Sequence, residues 1–165
     1  MGPVRLAIIS DTHMPRGTRS LPAACVAELR AADTILHAGD FMRVEVLRAL
    51  ASLGPPVHGV HGNVDDEALR RMLPAARVVE AGGARIAMIH DAGQRTGRLA
   101  RMRARFKDAD AVVFGHSHLP LHEVGEGGFQ IFNPGSPTER RRAPAHTMGI
   151  ATVSAGRVRF ELISL

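Results

Sequence analysis

Short apolar runs, each closed by a small polar cluster, recur along this chain. Residues 4–9, 34–37, 57–60, 77–80, 85–89, 111–114, 121–124, 129–132, 147–153 and 158–163 form such runs, and their length predicts strands. Between them the apolar spacing changes to that of a helix. Leu21, Cys25, Val26 and Leu29 fall near one face of a helix predicted over residues 21–31, with Ser20 as its cap. Val44, Leu47 and Leu50 mark a second helix. Asp65 is expected to cap a third, short one, with Leu69, Met72 and Leu73 on a shared face. Leu99, Met102 and Phe106 mark a fourth. Gly82-Gly83 reads as the turn between two neighbouring strands.

Strands and helices alternate through the first two thirds of the chain, and strands alone fill the rest. Alternation implies parallel pairing with crossover helices, and the terminal strands with their Gly-rich turns imply antiparallel pairing. The predicted fold class is therefore α/β (α+β), with two packed mixed sheets and helices outside, in a single domain over residues 1–165.

Composition narrows this picture. Trp and Tyr are absent, so Leu, Ile, Val, Met and six Phe must fill the core. The lone Cys25 allows no internal disulfide and fits a reducing compartment. No apolar run approaches the roughly 20 residues of a membrane span. Asp11 and His13 come too early for a secretory signal, and Leu6 stands where a myristoylation signal needs Ser or Thr. The expectation is a soluble cytoplasmic protein with no membrane partner. The net charge of +5 comes from Arg, with Lys107 the only Lys. Arg and Ala are favoured along the whole chain, so a compositional origin outweighs a nucleic-acid one. Two clusters keep a nucleic-acid partner open: Arg95, Arg98, Arg101, Arg103, Arg105 and Lys107, and Arg140-Arg141-Arg142. Arg98, Arg101 and Arg105 share a helical stripe that would recruit a polyanion if it opened toward the site described next.

The polar clusters carry the chemistry. Ser10-Asp11-Thr12-His13, Gly39-Asp40, Gly62-Asn63, His90 and Gly115-His116-Ser117-His118 each follow a predicted strand. In folds of this kind ligands sit at the carboxyl ends of strands. Two Asp, one Asn and four His are enough for two adjacent metal ions. In an extended segment Asp11 and His13 would point to the same side. The isolated Asp40 suits a carboxylate shared between two ions. Imidazole, carboxylate and amide donors without thiolate favour manganese, iron, cobalt, nickel or zinc over magnesium or calcium, and argue against a structural zinc site. Two divalent ions held by two carboxylates and a bridging hydroxide leave a net positive core, which draws an anion. A phosphate ester fits a pair of ions about 3.5–4 Å apart.

In this order, the motifs resemble the calcineurin-like metallophosphoesterases, and more closely the small bacterial and archaeal phosphodiesterases of that superfamily. Supporting the closer match are the short chain, Val64-Asp65 after Asn63, and Asn133-Pro134-Gly135-Ser136 near the C-terminus. The resemblance extends from Leu6 to Leu165. It implies a four-layer sandwich, helix–sheet–sheet–helix, and two divalent ions, manganese first. It assigns Asp11, His13 and His118 to one metal, Asn63, His90 and His116 to the other, and Asp40 to both. Catalysis is then expected to depend on Asp40, Asn63 and His90, with a metal-bridging hydroxide hydrolysing a phosphodiester.

Two positions depart from the wider family. Val64 replaces a His that larger relatives use beside the leaving group, so activated diesters should be cleaved best. His90-Asp91-Ala92 stands where many subfamily members have His-Gly-His. Two other readings of the fold remain: a non-catalytic protein-binding scaffold, as in a eukaryotic retromer subunit that resembles this family, and a nuclease acting on RNA or DNA. Exposed terminal strands leave a homodimer open.

Overall fold

The computed structural model describes residues 2–165. Its elements run β1 (Val4–Ile9), α1 (Ala23–Ala31), β2 (Thr34–His37), α2 (Val44–Ala51), β3 (Val57–Gly59), α3 (Glu67–Met72), β4 (Ala76–Ala81), β5 (Ala84–Ile89), α4 (Arg98–Arg105), β6 (Ala111–Val113), β7 (Leu121–Val124), β8 (Gln130–Asn133), β9 (Thr147–Ser154) and β10 (Arg157–Ser164). They form two five-stranded mixed sheets, ordered β10-β9-β1-β2-β3 and β4-β5-β6-β8-β7. β1, β2 and β3 pair in parallel, as do β5, β6 and β8, while β9, β10, β4 and β7 pair antiparallel with their neighbours.

Strand alternation explains the layers. Leu6 and Ile8 of β1 point between the sheets, where they meet Ile86 and Met88 of β5 and Phe132 of β8. Ala7 and Ile9 point the other way, onto Cys25 and Leu29 of α1 and Leu47 and Leu50 of α2. Ala87 and Ile89 do the same on the far side, under Met102 of α4. Both faces of the central strands are covered, which is why they read as unbroken apolar runs. The expected four-layer arrangement is the one observed.

Three local expectations are corrected. α1 starts at Ala23 after Pro22, and Ser20 supplies no cap; Pro22 holds extended ψ and its side chain makes no cap hydrogen bond. The cap of α3 is Asp66, whose carboxylate accepts from Leu69 N, because Asp65 is committed elsewhere. Met72, the last residue of α3, is 57% exposed and does not share the burial of Leu69.

The parallel strands of both sheets end at one rim. Asp11 N donates to Gly39 O (2.9 Å) within the first sheet, and Gly115 N donates to His90 O (2.9 Å) within the second. His116 N donates to Asp11 Oδ2 (3.0 Å) across the two.

Candidate metal centre

Five of the candidate ligands leave their strands in an unusual backbone conformation. Asp11 (φ 58°), His13 (44°), Asp40 (61°), His116 (74°) and His118 (61°) all occupy the left-handed region. This costs on the order of 1–3 kcal/mol per residue and concentrates where side chains must be aimed. The extended Asp11–His13 segment expected from spacing is therefore replaced by two left-handed residues, which turn both side chains into the rim. His116 and His118 diverge for the same reason and serve different groups.

The first group is Asp11, His13 and His118, all buried. Asp11 Oδ2 is saturated by Ser10 Oγ (2.7 Å) and His116 N. Its Oδ1 faces His118 Nε2 at 3.4 Å and His13 Nε2 at 3.7 Å. These three atoms are buried and have no hydrogen-bond partner. His118 Nδ1 donates to Glu139 O, which fixes the tautomer and leaves the Nε2 lone pair free.

The second group is Asp40, His90 and His116. His90 Nδ1 donates to Ala38 O (2.8 Å), so its Nε2 also carries a lone pair. Asn63 Oδ1 joins them, 3.1 Å from His90 Nε2 and 3.2 Å from His116 Nδ1. Asp40 Oδ2 connects the groups, 3.1 Å from His90 Nε2 and 3.5 Å from His13 Nε2. Its Oδ1 accepts from Val64 N (3.0 Å).

Donor atoms held at about 2.0–2.2 Å from one ion stand about 3.0–3.5 Å from each other. The measured separations, the unpartnered buried atoms and the ring orientations set at His90 and His118 fit two divalent cations. Burial raises the pKa of Asp11 and Asp40, but the facing imidazoles more than reverse this and hold both carboxylates low. Burial lowers that of His13, yet the facing carboxylates of Asp11 and Asp40 push it up to about 9. His90 is raised in the same way, whereas burial dominates for His118 and lowers it.

Two supporting carboxylates were not visible as such in the sequence. Asp65 accepts from Asp40 N (3.0 Å), Met42 N (2.7 Å) and Gly62 N (2.7 Å), tying two ligand-bearing loops together. Glu139 sits behind the first group, with Oε2 3.6 Å from His13 Nδ1 and Oε1 3.2 Å from both Arg16 and Arg19. The loop carrying Glu139 is clamped to the Asp11–His13 backbone. Ser136 Oγ donates to Asp11 O (2.8 Å), and Thr138 Oγ1 donates to Thr12 O (2.7 Å). The Ser136 position in Asn133-Pro134-Gly135-Ser136 was the available signal; it acts here as a loop clamp.

The Arg stripe does not open as a whole toward this site. Arg98 donates to Gly93 O, and Arg101 to Ala92 O, Gln94 O and Thr96 O, so both hold the loop before α4. Arg103 donates to Ala109 O and Lys107 O. Arg105 alone of the stripe lines a cleft of about 430 Å³ beside Asn63, His90 and His116. In the second cluster, Arg140 donates to Ala143 O and Arg141 lies 3.7 Å from Glu139.

A family model described as "Calcineurin-like phosphoesterase superfamily domain" matches residues 4–156. The chain is 33% identical over 138 residues to a "probable metallophosphoesterase" of Methanothermobacter thermautotrophicus, spanning 82% of this chain and 78% of the relative. A solution structure of a Thermotoga maritima protein is 29% identical, with a TM-score of 0.76 over 98% of this chain and 99% of that one. Vacuolar protein sorting 29 from Cryptosporidium parvum shares the fold, with a TM-score of 0.80 at 20% identity over 100% of both chains.

Proposed function

The chain belongs to the calcineurin-like phosphoesterase superfamily, and from that premise we propose that it is a binuclear metal-dependent phosphodiesterase. The observation that carries this reading is Asp40 Oδ2, one oxygen 3.5 Å from a donor of the first group and 3.1 Å from a donor of the second. Asp11, His13 and His118 would hold one cation and Asn63, His90 and His116 the other, with Asp40 shared. When bound, the cations supply Lewis acidity to the phosphoryl oxygens and lower the pKa of a water so that a nucleophile exists at neutral pH. Manganese is the first candidate, with nickel, cobalt, iron or zinc compatible with the same donors.

The chain's own residues orient that chemistry. Ala38 O and Glu139 O fix the tautomers of His90 and His118. Val64 follows Asn63 and offers no proton to a leaving group. The departing oxygen must then leave as an anion, which favours diesters with acidic leaving groups.

The convergence of seven donors in two adjacent groups supports an enzyme over a protein-binding scaffold. Among the described residues no helix is long and apolar enough to cross a membrane. The single thiol of Cys25 supports a cytoplasmic location.

The test is hydrolysis of bis-p-nitrophenyl phosphate after loading with manganese, nickel, cobalt or zinc. Turnover in at least one metal form is expected. Full occupancy without turnover in all four overturns the reading. Profiling against cyclic nucleotides, dinucleotides and short RNA then separates a small-molecule diesterase from a nuclease.

A further inference from the structure

The cleft beside the second group of donors has a composition that metal binding alone does not explain. Its walls carry two arginines, Arg70 of α3 and Arg105 at the end of α4, together with His61. Arg70 is locked in place. Its Nε donates to Asp65 O (3.1 Å) and its Nη2 to Gly62 O (3.2 Å) and Asn63 O (2.9 Å). Nη1 is left with no partner among the described residues. Arg105 forms no hydrogen bond or ion pair among the described residues; its guanidinium carbon stands 5.4 Å from the Phe106 ring centroid. Its three helical neighbours in sequence are, by contrast, spent on backbone carbonyls.

The opposing acidic residue, Asp91, forms no ion pair with either arginine. Asp91 Oδ1 accepts from Gly93 N (2.8 Å), and Oδ2 lies 3.9 Å from His116 Nε2. The cleft therefore presents two guanidinium groups with free donors, one of them pre-oriented, next to the residues that would hold a cation. Guanidinium groups match the oxygens of a phosphate in number and geometry.

Resting on the phosphodiesterase reading above, we propose that Arg70 and Arg105 receive a second phosphate of the substrate. The enzyme would thus select phosphodiesters that carry a further phosphoryl group, as nucleotide and oligonucleotide diesters do, over diesters with uncharged arms. Both arginines act in binding and specificity and touch no reacting bond.

The experiment compares binding of thymidine 5′-monophosphate and thymidine 3′,5′-bisphosphate to the metal-loaded protein by calorimetry. In the wild type the bisphosphate is expected to bind about tenfold tighter. Arg105→Ala should collapse that ratio to within about twofold, and Arg105→Lys should restore part of it. Arg95→Ala removes the same charge outside the cleft and should keep the wild-type ratio. An equal ratio in wild type and Arg105→Ala overturns the inference, as does an equal loss in Arg95→Ala. Turnover of bis-p-nitrophenyl phosphate by the wild type is read separately. Its absence would overturn the phosphodiesterase reading while leaving the bisphosphate ratio as a distinct result.

Discussion

Gly62 packs so tightly against Asp40 that a Cβ built on the glycine would stand 2.1 Å from Asp40 Oδ1 and 2.6 Å from Asp40 N. The clash is with the carboxylate that faces both groups of candidate donors and with the backbone that aims it. Gly62→Ala should therefore push Asp40 out of register while the two sheets remain folded. The expected result is loss of at least one ion per chain by elemental analysis, with far-ultraviolet circular dichroism unchanged. Two tightly bound ions in the variant would show that the contact is slack.

Asp40→Asn keeps the shape and removes the charge. Turnover of bis-p-nitrophenyl phosphate should fall by about a hundredfold or more, because a neutral amide is a poor shared ligand. Steady-state kinetics at saturating metal measures this, and near-wild-type turnover would show that the ions do not depend on Asp40.

Glu139 faces the far nitrogen of His13 from 3.6 Å. Glu139→Gln should weaken metal binding at the Asp11–His13–His118 group by about ten- to a hundredfold, as loss of an outer carboxylate does in other metal sites. Competition with a chromophoric chelator reads the affinity. Unchanged affinity would reduce Glu139 to a loop anchor.

His37 makes stability depend on acid. Its Nδ1 accepts from Gly39 N (3.1 Å), so Nε2 donates to Thr12 Oγ1 (3.1 Å), and the ring stacks on Phe41. Burial, with His90 and His13 nearby, pushes its pKa down to about 3. The unfolded chain, with a value near 6.5, binds the extra proton across the window between the two. Stability contributed by the neutral ring is complete above that window and is lost as pH falls through it, by about 2 kcal/mol at pH 5. Urea unfolding of metal-free protein at pH 7 and pH 5 should show that loss in the wild type and less of it in His37→Gln. Equal pH dependence in both would assign the effect to other groups.

Cys25 is fully buried on α1, and burial, with Glu28 nearby, pushes its thiol up to about 12. It should not react with a disulfide reagent at pH 8 in the native protein and should titrate one equivalent in denaturant. Rapid native-state labelling would mean that α1 opens readily from the sheet.

Much of this was legible in the chain because two-sided burial writes itself as apolar runs. The alternation of Leu6, Ala7, Ile8 and Ile9 between two cores left β1 unmistakable, and its carboxyl end located Asp11 and His13. Backbone handedness was not legible. Nothing in the spacing of Asp11 and His13 announces φ values of 58° and 44°, in a segment whose carbonyls are held by Ser136 and Thr138, 125 and 126 positions away. Asp65 was misread for a related reason. A carboxylate two residues before a helix looks like a cap, and only the arrival of Asp40, Met42 and Gly62 N–H groups from the tertiary fold reassigns it. The Arg98–Arg101–Arg105 stripe likewise looked uniform until loop carbonyls claimed two of its three members.

The first group of donors joins Asp11 and His13 of one sheet to His118 beyond the end of the other. A cation there would act as a cross-link between segments more than a hundred positions apart in a chain with no disulfide. Closing so long a loop in the folded state alone removes freedom from the unfolded chain that no local contact can reach. Metal supply would then govern how long each molecule survives as well as how fast it works, and a starved cell would lose the protein together with its activity.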